Sequence, residues 1–362
     1  TRRCTGSRQF SAEVKLLANG MAQRSRIRRV LPPRVDIPRP GVNLAQGMGK
    51  RWPAGVVTMV DRLGRFRCLS TRPSDAIRWS CVLEAYAPKP GNVIPGRPFN
   101  DLSHPEFVSA AEFTARCFSR AQRVSECMLE AIEQTALKCP GNVNLGIVLL
   151  LGPLVGADRN LERSSGKLNS PQRSSAGWRD AIARQLRDFD ETDGRNVYRA
   201  IRGASAGGLG RVEAMDVHDD EAPVDLVAAM KSAAGRDRIA RQYANGFADV
   251  LDQVTAVLLE SIARAGDLLQ GICRAHVKML AADPDSLITR KNGEAEAAHV
   301  QTLARAVDLD DPASYEQLDA LLRDSEHRLN PGTTADLIVA GLYLLLRSPP
   351  TSFSKPTEHE SG

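Results

Sequence analysis

RLNPGTTADLIVAGLYLLLR, residues 328–347, joins a polar turn to the most apolar helix in the chain. Asn330-Pro331-Gly332 is a turn signal, and Thr333 followed by Asp336 has the shape of a capping box with Asp in the Glu role. From Ala335 to Leu346 the run is apolar nearly all round, yet it falls well short of the roughly 20 residues that span a bilayer. A helix of that kind belongs at the centre of a core. The stretch therefore predicts a buried central helix, of the kind a multi-helix core is built around. Its start also offers backbone N–H groups beside small residues, which suits a phosphate as well as an ordinary capped core helix.

The rest of the composition agrees with helices. Aromatics make up 5% of the 362 residues, alternating Val/Ile/Thr runs are scarce, and Ala, Leu, Arg and Glu stretches dominate. The net charge of +5 hides an asymmetry: residues 1–72 hold 16 Lys/Arg against 3 Asp/Glu, leaving 32 against 40 for the remainder. The acidic main body argues against a nucleic-acid-binding core. Residues 1–72, with Arg clusters and the breaks at Pro32, Pro33, Pro38 and Pro40, read as a disordered basic extension. The expected organisation is thus 1–72 extension, 73–350 helical domain and 351–362 disordered tail. Seven cysteines form no CxxC pair; with no signal-peptide pattern and no transmembrane run, they read as reduced thiols in a cytoplasmic protein without a membrane partner.

Along the chain, a helix starting near Asp75 spaces Ile77, Cys81 and Ala85 by four and ends in the turn APKPGNV. The two prolines around Lys89 leave its ammonium little slack, so it is either a phosphate ligand or a solvated loop lysine. FNDLS, with Asp101, precedes a long helix expected from about Pro105 to Leu137. Asn142 and Asn144 open NLGIVLLLGPL, expected to end at Gly152-Pro153, and can serve a ribose or cap the helix. Residues 156–175 read as a surface loop, with short helices at 178–189 and 197–202. IRGASAGGLG, with Gly207, Gly208 and Gly210, fits neither a Rossmann nor a Walker pattern. The acidic cluster beginning at Asp216 can hold Mg²⁺ or be a solvated loop. GRDRIARQYANGF opens an expected long helix from Gly235 to Arg264, and its Arg236, Asp237 and Arg241 suit a triphosphate and its metal or a surface ion-pair lattice. Arg290 and Lys291 follow Asp285 and Ser286 as a phosphate clamp or a solvated helix end. His327 stands just before NPGTTAD, as acid, donor or cap.

Taken together and in order, APKPGNV, FNDLS, FVSAA, NVNLGIVLLLGPL, VYRAIR, GGLG, GRDRIARQYANGF, PDSLITRK and HRLNPGTTADLIVAGLYLLLR resemble the triphosphoribosyl-dephospho-CoA synthase family over roughly residues 76–347. KPGN, PDSLI-RK and NPGTTADL are the most specific of these motifs. The resemblance implies an all-α enzyme that moves the triphosphoribosyl unit of ATP to the ribose 2′-hydroxyl of dephospho-CoA and releases adenine. It implies ATP as substrate, Mg²⁺ as cofactor and an acceptor such as dephospho-CoA as partner. Replacing an N-glycosidic bond needs a base, a proton donor for the leaving adenine and cations for the triphosphate. On this reading Lys89, Arg199, Gly208, Arg236, Arg241, Arg290 and Lys291 hold phosphates, and Asp216 or Asp237 holds Mg²⁺. Asn92, Asn144, Asn330, Thr333 and Thr334 orient ribose or phosphate. Asp101 is the first choice of base, with His327 and Asp336 completing the catalytic set.

The chain departs from the family pattern at Ala206, where Pro is expected, at Leu318–Arg323 in place of F-D-x-W-L-R, and at Ser325-Glu326 in place of an acidic-glycine pair. These departures leave two alternatives open. One is a pentosyl or nucleotide transferase with another acceptor, of the kind found in one-carbon, methanopterin-type cofactor synthesis. The other is a non-catalytic α-helical nucleotide-binding protein.

Overall fold

The computed structural model describes residues 61–353 apart from 140–142, 166–169, 206–224 and 324–325. Gly208, Asp216 and most of the expected extension and tail lie outside the described residues. Among the described residues there are fifteen α-helices and no strand, as the helix-favouring composition and the family resemblance lead one to expect. In chain order they are α1 (Gly64–Leu69), α2 (Pro73–Tyr86), α3 (His104–Phe118), α4 (Val124–Ala136) and α5 (Leu145–Ser165). Then follow α6 (Ser175–Arg187), α7 (Glu191–Ser205), α8 (Leu226–Ala233), α9 (Arg238–Asn245) and α10 (Thr255–Arg264). The last are α11 (Leu268–Ala282), α12 (Ser286–Asn292), α13 (Glu294–Arg305), α14 (Pro312–Leu322) and α15 (Gly332–Leu346).

α15 is the central helix, packed against α2, α5, α10 and α11. From Leu337 to Leu346 every residue is buried, because an apolar surface on all sides can only be satisfied by helices on all sides. Gly341 lets α10 approach: a Cβ there would lie 2.7 Å from Leu258 Cδ1. The other end of α15 is locked by a buried network in which Arg347 Nε and Tyr343 Oη both lie 2.6 Å from Asp158 Oδ2 on α5. Arg173 Nη1 reaches Asp158 Oδ1 at 2.6 Å.

Several expected boundaries move, each for a tertiary reason. The helix expected over 105–137 is two, α3 and α4, because Arg159 of α5 inserts its guanidinium under the break and accepts no helical continuation: it donates to the carbonyls of Phe118, Arg120 and Gln122. α5 runs through Pro153 to Ser165 instead of stopping, and the loop expected from residue 156 is helical to that point. A buried helix tolerates the one backbone hydrogen bond that Pro removes when packing on every side holds it straight. The helix expected over 235–264 breaks at Gly246 and Phe247, both left-handed at φ 67° and 63°. A π-helical turn over Asp249–Val254 then leads into α10. Asp249 fixes this elbow by accepting from the side chains of Arg241, Gln242 and Asn245. The helix expected at 197–202 is the longer α7.

The ordered body also begins before residue 73. Phe66 of α1 meets Trp79 edge-on at 5.2 Å, Arg67 Nε donates to the Leu345 carbonyl at 3.1 Å, and Arg62 Nη1 donates to that of Ile262 at 2.6 Å. Composition marks this arginine-rich stretch as solvated, but the guanidiniums are spent on carbonyls at the ends of α10 and α15.

Candidate functional site

Three helix starts, those of α9, α12 and α15, meet at one place. Asp237 caps α9 through Oδ1, which accepts from the Ile239 and Ala240 N–H groups at 2.7 and 3.1 Å. Asp285 caps α12 through Oδ1 and reaches across to α15 with Oδ2, accepting from Thr334 N–H and Thr334 Oγ1, both at 2.7 Å. The start of α15 is therefore capped by a distant residue and not by the expected Thr333–Asp336 box; its own N-cap, Pro331, makes no side-chain cap. Ser286 Oγ donates to Thr333 Oγ1 at 3.1 Å and accepts from the Arg238 N–H at 3.2 Å. Both threonine hydroxyls, expected to orient ribose or phosphate, thus tie the helix starts together.

Released from capping, Asp336 has no hydrogen-bond partner among the described residues. It is half-buried and its Oδ2 lies against the first turn of α5, where a Cβ on Gly146 would be only 2.0 Å away. Burial pushes the Asp336 carboxyl well above the usual range, and the charges of Glu84, Asp285 and Asp237 push it further, with Arg290 opposing. A carboxyl whose protonated form is favoured can serve as a proton donor. A narrow cleft of about 10 Å³, room for little more than a water, whose wall does not include Asp336, is bounded by Cys81 and Glu84 of α2, Ala110, Ala111 and Thr114 of α3, and Asn144 and Ile147 at the start of α5.

The KPGN turn lies behind this cavity. Lys89, expected to face a phosphate, is 1% exposed and sits 2.9 Å from Glu84 Oε1, and its ammonium also donates to the Glu84 and Ala87 carbonyls. Asn92 is buried and donates to the Pro90 carbonyl, with His276 Nε2 3.2 Å away. Gly91, at φ 74°, packs on Leu322 and Pro331, and its N–H donates to Asp319 Oδ1 at 2.8 Å. Asp319 also takes Arg97 at 2.6 Å and Arg323 at 2.8 Å, which straps the loop from residue 91 to 103 onto α14. On the same loop Phe99 stacks on His327 at 3.9 Å between ring centroids, and His327 Nε2 accepts from the Asn100 N–H at 3.0 Å. His327, at φ 53°, therefore holds the loop that carries Asp101. Asp101 itself is exposed.

The remaining expected residues divide between the rim and elsewhere. Arg236, Arg290 and Lys291 are exposed, with Arg290 Nη1 3.4 Å from Asp237 Oδ2. Arg241 is committed to Asp249 and Asp283. Asn144 donates to the Thr114 and Thr135 hydroxyls at 3.1 and 3.0 Å. Asn330 Oδ1 is buried without a partner. Arg199 pairs across to Glu133 of α4 at 3.7 Å on an exposed surface. The expected metal role of Asp237 does not fit: its carboxylate is divided between helix N–H groups and Arg290. Among the described residues no three His, Cys, Asp or Glu side chains gather as a metal-holding group.

Three contributors went unread in the sequence. Glu84 carried a signal, a lone carboxylate inside the apolar run CVLEAY. Asp285 had the local signal of a helix cap, an Asp just before an apolar turn, but its second bond to α15 spans 49 residues. Arg238 is buried, donates to Thr334 Oγ1 at 3.4 Å and pairs with Asp283 at 3.2 Å; it was hidden between two more conspicuous arginines.

A family model described as ATP:dephospho-CoA triphosphoribosyl transferase matches residues 70–353. No curated protein matches the chain. Among solved structures the chain is similar to a candidate triphosphoribosyl-dephospho-CoA synthase from Archaeoglobus fulgidus, with a TM-score of 0.50 and 22% identity, over 66% of this chain and 97% of that one. At that identity the likeness speaks to fold alone. The family match spans α2 through α15, including every motif gathered around Asp336, and the chain belongs to the ATP:dephospho-CoA triphosphoribosyl transferase family.

Proposed function

We propose that the protein transfers the 5-triphosphoribosyl group of ATP to the ribose 2′-hydroxyl of 3′-dephospho-CoA and releases adenine. Beyond family membership, the observation that carries this reading is Asp336, an unpartnered carboxyl whose surroundings favour its protonated form. Adenine is a poor leaving group as an anion, so breaking its bond to the ribose carbon calls for a proton at the base. Asp336 is the donor in this reading, ahead of Asp101, which is exposed on its loop. Arg290, Lys291 and Arg236, all exposed near the helix starts, take the triphosphate. Lys89 and Arg241, committed to carboxylates, support the site from behind. We read the reaction as cytoplasmic on the ground of its substrates. No helix of the described residues is long and apolar enough to cross a membrane.

The test is adenine release from ATP and Mg²⁺ by the full chain, with and without dephospho-CoA. Release that depends on dephospho-CoA, lost at least 100-fold in Asp336→Asn and less than tenfold in Asp101→Asn, is the expected result. Adenine formed equally without dephospho-CoA would point to another acceptor. No adenine at all, with ATP still bound, would reduce the protein to a nucleotide-binding role.

A further inference from the structure

The loop between α2 and α3 is held at two places of different character. Its root is fixed by several bonds. Gly91 donates its N–H to Asp319 Oδ1 at 2.8 Å, Arg97 Nη1 meets Asp319 Oδ2 at 2.6 Å, and Arg323 Nη2 donates to the Asn92 carbonyl. Asp319 is only 7% exposed, so water competes little for these bonds. Beyond the root the chain turns back through Gly96, at φ 81°, with the Arg97 N–H donating to the Ile94 carbonyl at 3.0 Å. Residues 95–98 of this turn are exposed.

The far end, from Phe99 to Asp101, meets His327. That ring stacks on Phe99 at 3.9 Å between centroids and 14° between planes, and its Nε2 accepts from the Asn100 N–H at 3.0 Å. An accepting Nε2 puts the proton of the neutral ring on Nδ1. Nδ1 is buried and has no partner among the described residues. His327 also stands at φ 53°, which non-glycine residues adopt uncommonly and at some cost. Both costs last only while this end is shut, because opening it gives Nδ1 to water and lets the backbone relax. They offset what the stack and the single bond contribute.

We propose that residues 93–103 are a flap hinged at Asp319 and latched by His327, and that the latch holds only while the His327 ring is uncharged. A second proton turns Nε2 into a donor that faces the Asn100 N–H, so the bond is lost. The charged groups around the ring offer no substitute. Arg323 of α14 lies 5.8 Å from the Phe99 ring centroid, Asp101 is exposed beyond Asn100, and Glu326 and Arg328 pair with each other at 3.5 Å. Asn292 of α12 reaches the same turn through the Arg328 carbonyl at 2.8 Å. Among the described residues none of them bonds to Nδ1. The hinge does not titrate with the latch. Burial works to raise the Asp319 carboxyl, but the bonds from Arg323, the Gly91 N–H and Arg97 outweigh it and hold the carboxyl below its ordinary value. The flap rests on the turn that leads into α15, with Gly91 packed on Pro331 at its root. In the transfer reaction proposed above, on which this clause alone rests, an unlatched flap leaves that turn open to water and slows turnover.

The test reads the latch without the reaction. Amide hydrogen exchange in the full chain gives the protection of the Asn100 N–H relative to its intrinsic rate at each pH. Between pH 8 and pH 5, the range in which imidazoles take up a proton, that protection is expected to fall at least tenfold while that of the Gly91 N–H changes less than threefold. His327→Gln gains no proton in this range, so its Asn100 protection is expected to differ less than threefold between the two pH values. A smaller fall in the parent, or an equal one in the variant, overturns the proposal. Should the variant not fold, nitrogen-15 NMR of the parent's histidine rings gives the His327 midpoint, expected to match that of the Asn100 change within half a pH unit; a larger mismatch overturns it. Adenine release with dephospho-CoA is expected to fall at that same midpoint in the parent and to lose this acid limb in His327→Gln. An unchanged limb overturns the link to turnover. A parent that makes no adenine overturns the transfer reading instead, and the exchange measurement still decides the latch.

Discussion

Replacing Asp158 with Asn tests whether the buried network at the end of α15 holds the helical body together. Asp158 and Arg347 are fully buried and Arg173 is 1% exposed. Asp158 accepts from Tyr343 Oη and Arg347 Nε at 2.6 Å, from Arg347 Nη2 at 3.2 Å, and pairs with Arg173 Nη1 at 2.6 Å. Arg347 would keep a second carboxylate, Glu162, and the Ser70 carbonyl at 2.6 Å. Arg173 would keep only the Arg347 carbonyl at 3.0 Å and the face of Trp178 at 5.7 Å. Breaking a buried pair from one side costs about 3–5 kcal/mol, because the stranded charge cannot be rehydrated. For a body of this size that is a fall in Tm of roughly 6–15 °C, measured by circular dichroism with urea unfolding as a check. Adding Arg173→Met removes the stranded charge, so the double variant should lose less than the two single losses combined. A single-variant loss below about 1 kcal/mol would refute the argument, since Asn can meet at most part of the donor set that the carboxylate now satisfies.

Other outcomes follow from the same geometry. His276 is fully buried, and burial, then the nearby Lys89 charge, push its pKa down to about 3 from the ordinary 6.5, against the pull of the Pro331 carbonyl. Between those values the unfolded chain binds the extra proton. This stability is therefore present above pH 6.5 and lost as pH falls toward 3, by about 1.4 kcal/mol per unit; urea titrations at pH 7, 6 and 5 should show that slope in the parent and a shallower one in His276→Gln. Gly146→Ala places a Cβ 2.0 Å from Asp336 Oδ2 and 2.6 Å from Ile239 Cδ1. It should cost about 1–3 kcal/mol by overpacking and displace Asp336, so adenine release should drop further than the melting temperature explains. Asp285→Ala uncaps α12 and α15 together and should cost about 2 kcal/mol or more, each cap contributing about 1 kcal/mol; amide exchange should quicken at Leu287 and Thr334, and a change confined to one helix would count against the shared cap.

Much of the helical body was legible in the residues themselves. The unbroken apolar run from Leu337 to Leu346 could be satisfied only at the centre of a bundle, and the spacing of Ile77, Cys81 and Ala85 named the buried face of α2. Local hydrophobic pattern settles such matters because burial of one face depends mainly on the residues that form it. Helix breaks were less legible. The ends of α3 and α9 are decided by Arg159 and Asp249, side chains that gather carbonyls or donors from outside the helix they terminate. The site was half legible. The sequence alone named the turns and Asp336, and placed cations near them in the chain. It did not reveal that Lys89 is committed to Glu84 or that Asp285 caps α15, and that second cap is what leaves Asp336 unpartnered. Nor did it show that Asp319 holds Gly91 from 228 residues away. Whether a charged side chain meets a ligand or another side chain depends on which opposite charge folding brings within about 4 Å and how much water it removes from both, and only the packed helices determine those two quantities.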